Sequence, residues 1–154
     1  MLLRCPRTSV DQTLTHLREA GQSDQECVVL WLGKRQASHI DVLCCYKPLQ
    51  LAKADQFYIP PEGMAALQSK LRAERLMVAA QVHSHPEKAF HSKADDKWAI
   101  IRHEGALSLV VPRFASDTSI NNFLDQTKVY YFSNRATWDE VPQSLVTQTC
   151  LQII

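Results

Sequence analysis

Long apolar runs, a charge excess and paired cysteines are all missing from this chain, and each absence removes a class of protein. No stretch of about 18 apolar residues occurs, so a membrane-spanning helix is not expected. The opening "MLLRCPRTSVDQ" is broken by Arg4 and holds no continuous apolar segment of the secretory kind, so a cytosolic protein is expected. Seventeen basic residues against sixteen acidic ones leave a net charge of +1, which offers nothing to attract nucleic acid or a membrane surface. The five cysteines are odd in number and contain no C-x-x-C pair, which argues against a disulfide framework and a cysteine-rich zinc module. Reduced, mostly buried thiols are expected. Internal repeats and low-complexity linkers are absent as well.

What remains is 154 residues, 45% hydrophobic and 21% charged, enough for one globular domain over 1–154 with a real core. "SVDQTLTHLREAG" predicts a first helix with a capping box at Ser9 and Gln12, an apolar stripe of Val10, Leu14 and Leu17, and a stop at Gly21. "ECVVLWLG" (26–33) and "HIDVLCCY" (39–46) predict a hairpin of buried strands. A short extended piece precedes a second helix with Pro61 near its start, and 77–83 reads as a strand. A third helix is expected from Ser92 through "SKADDKWAIIRH", with Trp98 and Ile101 on one buried face. Further strands are expected at 106–111, 128–132 and in the tail "LVTQTCLQII", with a polar, weakly helical connection over 112–127. Strands and helices intermix without a regular βαβ beat, so the fold class is α+β, a mixed sheet flanked by helices.

The stretch "HSHPEKAFHSKADD" (83–96) carries the chemistry. In a strand, side chains alternate, so His83 and His85 share a face while Ser84 points the other way. Two imidazoles so placed can meet one metal ion. With six histidines, an H-x-H pair is expected about 0.23 times by chance, so the pair alone is weak evidence. Ser92 and Asp95 also fit a plain helix-capping box. The two readings are compatible, because a capped helix start would fix a carboxylate beside the histidines. Two histidines and a carboxylate leave one tetrahedral position open, the pattern of a catalytic zinc. Hydrolysis of an amide further requires a carboxylate to carry a proton, and Glu26, an acid at the head of a hydrophobic strand, is the candidate.

Glu26, then "HSHP", then S-x-x-D resembles the JAMM (JAB1/MPN/Mov34) metalloprotease motif, and the resemblance covers most of the chain. It implies a JAB/MPN fold with one Zn2+ held by His83, His85 and Asp95. It also implies Glu26 as the general acid/base for the attacking water and Ser92 as a stabiliser of the oxyanion. Five residues separate Pro86 from Ser92, one fewer than is usual for the family. Counting from the histidines therefore selects Asp96 and counting from the serine selects Asp95; a loop absorbs a deletion more easily than a helical turn, which favours Asp95. Phe90 is expected to touch an extended substrate tail, and His91 to lie behind the ligands or to face substrate, with an ordinary solvated position as the simpler alternative for His91.

The small size resembles stand-alone prokaryotic members of the family, some encoded beside E1- and E2-like enzymes in antiphage CBASS-type operons. This implies an isopeptidase or peptidase acting at the C-terminus of a ubiquitin-like protein or its conjugate. Processing of a sulfur-carrier protein in cysteine or cofactor biosynthesis is the second enzymatic reading. A non-catalytic MPN scaffold is the third, disfavoured because such scaffolds usually lack the metal ligands.

Overall fold

The structure, a computed structural model, describes residues 1–52 and 57–154, the side chains of 97 and 98 excepted. The chain runs β1 (Leu2–Cys5), α1 (Arg7–Gly21), β2 (Val28–Arg35), β3 (His39–Tyr46), β4 (Leu51–Ala52), β5 (Phe57–Tyr58) and α2 (Pro61–Glu74). It continues with β6 (Met77–Ser84), α3 (Lys93–Trp98), β7 (Leu107–Val111), α4 (Phe123–Gln126), β8 (Lys128–Phe132), β9 (Trp138–Glu140), α5 (Val146–Thr149) and β10 (Leu151–Ile153). Eight strands form one mixed sheet in the order β10-β1-β3-β2-β6-β7-β8-β9, while β4 and β5 pair apart from it. No helix among the described residues is long and apolar enough to cross a membrane.

The run "CVVLWL" is apolar throughout because β2 sits mid-sheet and both its faces are covered. Cys27, Val29 and Trp31 pack on one side with Val10, Leu14 and Leu17 of α1. Val28, Leu30 and Leu32 pack on the other with Phe57, Ile59 and Leu67, the last from α2. Trp31 is wholly buried, and its indole N–H donates to Thr13 Oγ1 of α1 at 2.8 Å.

Three expectations need correction. Ser9 does not cap α1; the helix starts three residues earlier than such a cap would place it, at Arg7 behind Pro6, and Ser9 is buried within it. The third helix is only six residues long, because Ala99 turns to an extended conformation and Ile100 gives its N–H to Gln81 Oε1 instead of continuing the ladder. Ile101 is therefore buried from outside the helix, and the placement of Trp98 in the core falls outside the described side chains. The tail is not one strand: Gln143–Leu145 and α5 form helical turns before β10. The expected connection after β7 opens with Pro112, and the next three residues, Arg113, Phe114 and Ala115, are all left-handed at φ of 52°, 52° and 60°.

Candidate metal centre

The register of two neighbouring strands assembles the centre. Val28 of β2 pairs antiparallel with His83 of β6, so stepping two residues outward along each strand brings position 26 beside position 85. Ser84, facing away from both histidines, locks this step: its hydroxyl accepts the Cys27 N–H at 3.1 Å, and its own N–H donates to Cys27 O at 3.1 Å. Gln50 holds the other flank of β2, its side-chain amide accepting from Val28 N–H and donating to Val28 O, both at 2.9 Å. Glu26 is thereby buried at the strand's entrance, with Oε1 3.7 Å from His85 Nε2.

The corner after β6 is fixed by backbone bonds. His85 N–H donates to Val111 O at 2.9 Å, and the left-handed turn returns two amides, Phe114 N–H to His85 O at 2.8 Å and Arg113 N–H to Glu87 O at 2.7 Å. Beyond the loop, Ser92 caps α3 with the full reciprocal box: Ser92 Oγ accepts Asp95 N–H at 3.1 Å and Asp95 Oδ2 accepts Ser92 N–H at 2.7 Å. The cap turns Asp95 inward.

There, one carboxylate oxygen is crowded. Asp95 Oδ2 lies 3.1 Å from His85 Nε2 and 3.2 Å from His83 Nε2 while it also accepts from Ser92. All three side chains are buried, and their ligand atoms lie within 4.8 Å of one another. The His83 contact is close in distance but off the line of a hydrogen bond, so both ring nitrogens of this wholly buried imidazole lack a hydrogen-bond partner. A buried polar ring without partners is costly unless something else occupies its lone pair, so the donor set fits a metal ion. Burial alone would raise the Asp95 carboxyl, but the charge of His83 beside it, the hydrogen bond of His85 and the Ser92 amide hold it well below the usual carboxylate range.

Asp96 does not join the cluster. It is exposed and bonded at 2.8 Å through Oδ1 to His91 Nδ1, so Asp95 is the aspartate that meets the histidines. His91 does not face the cleft; its side chain is 4% exposed and lies behind the histidines. Phe90, 45% exposed, stands edge-on to His85 with ring centroids 4.6 Å apart. Beside Glu26 opens a cleft of about 370 Å³ lined by residues including Cys27, Lys47, Leu49 and Gln50. Gln50, Gln81 and Ser108 escaped sequence reasoning, because an amide or hydroxyl inside a strand or loop carries no local signature.

Residues 6–115 match the family described as prokaryotic homologs of the JAB domain. The chain belongs to the prokaryotic JAB family. The probable metalloprotease y4jG of Sinorhizobium fredii is 33% identical over 147 residues, spanning 93% of this chain and 89% of the relative. The JAB architecture described above also matches the solution structure of a Desulfitobacterium hafniense protein, at a TM-score of 0.71 and 17% identity over 99% of this chain and 93% of that one. That second likeness concerns the fold alone.

Proposed function

We propose that the protein is a zinc metallopeptidase that cleaves after the C-terminus of a ubiquitin-like protein, either from a conjugate or from a precursor. The observation that carries this is the convergence of His83, His85 and Asp95 with Glu26 alongside. Family membership and the name of the Sinorhizobium relative support the metallopeptidase class. For zinc, bonds of about 2.0–2.1 Å in a tetrahedron put ligand atoms about 3.3 Å apart. The separations of 3.1 and 3.2 Å from Asp95 Oδ2 to the two imidazole nitrogens are close to that edge.

Zinc bound here would act as a Lewis acid and make a water nucleophilic near neutral pH. Glu26 then accepts the proton of the attacking water and delivers it to the departing nitrogen, a task for which its position beside His85 suits it. Ser92 uses its oxygen lone pair for the cap, so its hydroxyl hydrogen stays available to the oxyanion that develops on the scissile carbonyl. Phe90 and the cleft beside Glu26 supply an apolar wall and an open channel for an extended tail. In this reading the partners are a ubiquitin-like protein and the E1- and E2-like enzymes that attach it, in the cytosol and in an antiphage setting. A sulfur-carrier protein would need the same groups, so the identity of the cleaved partner separates the two.

The test is metal content per chain together with cleavage of ubiquitin-like fusions. About one zinc is expected in the wild type and in Glu26→Ala, with little in Asp95→Ala; cleavage should vanish in Glu26→Ala and in Asp95→Ala. A wild type that takes up no zinc when supplied with it overturns the reading.

A further inference from the structure

Asp95 is carried by a helix of six residues, too short to hold itself together in water. The loop leading into it offers little grip, since Pro86, Glu87, Lys88 and Phe90 are exposed. One side chain of that loop goes inside. The His91 imidazole inserts between Tyr130 of β8 and Trp138 of β9, with ring centroids 5.1 and 5.2 Å away, and turns its edge to His83 at 6.1 Å.

Its two nitrogens engage different elements. Nδ1 lies 2.8 Å from Asp96 Oδ1 on α3, and Nε2 lies 3.2 Å from Ser108 Oγ on β7. Ser108 Oγ accepts the side-chain amide of Gln81 at 3.0 Å, and Gln81 Oε1 accepts the Ile100 N–H just past the helix end at 3.0 Å. Gln81 and Ser108 are wholly buried. The sense of every bond follows. Gln81 must present oxygen to the Ile100 N–H, so its NH2 faces Ser108. Ser108 then donates its hydrogen to His91 Nε2, and His91 donates Nδ1–H to the Asp96 carboxylate. Every group in this circuit is satisfied in one arrangement only, and the circuit grips α3 at both ends.

We propose that His91 is a positioning residue whose clamp on α3 sets the aim of the Asp95 carboxylate and thereby the affinity of the site for its metal. The inference rests on the metal reading above and adds to it a residue that touches neither metal nor substrate. Partners that orient ligands from behind are worth about 10- to 100-fold in metal affinity.

The test measures zinc affinity by chelator competition and the visible spectrum of the cobalt-substituted protein, for wild type, His91→Ala, His91→Asn, Asp96→Ala and Ser108→Ala. His91→Ala should bind zinc about 10- to 100-fold more weakly and alter the cobalt spectrum. His91→Asn, which keeps a donor for Asp96, should recover part of the loss. Should His91→Ala fail to fold, Asp96→Ala and Ser108→Ala break the same circuit from its two sides and should weaken zinc in the same direction. Variants that melt lower yet bind zinc as tightly as wild type, with an unchanged cobalt spectrum, would reduce His91 to packing and overturn the proposal. A wild type without zinc affinity would instead bring down the metal reading itself, and this inference with it.

Discussion

Two adjacent aspartates, one buried against imidazoles and one exposed, show what a single residue's surroundings decide. From sequence, Asp95 and Asp96 differ only by their count from Ser92 or from the histidines; the capping box separates them, because its third position is the one turned inward. His83, His85 and Glu26 were legible from the alternation of a strand and from an acid heading an apolar run. The inward turn of His91 was not, since its pocket comes from β7, β8 and β9, well downstream in the chain. The thiols give a test at this scale. Burial pushes Cys27 up to about 11 and raises Cys5 further, whereas unfolded thiols ionise near about 8.5. The folded state thus keeps protons that the unfolded chain releases, so stability is full below about pH 8.5 and falls as pH climbs toward about 11. Urea midpoints at about pH 8 and about pH 10 should differ in that direction, and alkylation followed by mass spectrometry should leave Cys5 and Cys27 unmodified until the protein unfolds.

Among the elements, those with a strong period were readable and the short ones were not. The hairpin of β2 and β3, the strand β6 and the helix α2 stand where their patterns placed them. The four residues of β1 are too few to show alternation, and the tail's Val146 and Leu151 are both buried because a helical turn, not a strand, separates them. The S-x-x-Q pattern at Ser9 resembled a cap, yet the core claimed Ser9 for α1's inner face and left the entrance to Pro6. That inner face depends on Thr13, which donates to Ser9 O at 2.7 Å and accepts the indole N–H of Trp31. Thr13→Val keeps the shape but orphans a buried donor, so it should cost about 1–3 kcal/mol of unfolding free energy, read from denaturant curves. Ser92→Ala removes a cap worth about 1 kcal/mol and should lower the melting temperature and slow cleavage together. Ser92→Asp should restore the melting temperature but not the cleavage rate.

For the molecule as a whole, the sheet brings Glu26 and the histidines together from its two central strands, and everything else holds α3 against them. The left-handed turn at Arg113–Ala115 braces this arrangement: Arg18 of α1 donates through Nε to Ala115 O at 3.2 Å, and Gly21 leaves room for Phe114, whose Cβ would lie 2.4 Å from any Cβ added there. Gly21→Ala should therefore destabilise the protein and weaken its hold on metal through the corner at His85. Each left-handed residue other than glycine carries about 1–2 kcal/mol of steric cost. Arg113 is exposed, with side-chain bonds to Asp117 and Gln126 at the surface, so Arg113→Gly should raise stability by about 1 kcal/mol, seen as a higher melting temperature with metal affinity unchanged. The chain is thus less heat-resistant than its own architecture permits. Adapting it to a hotter habitat could begin at a corner that meets the reactive groups through main-chain atoms alone.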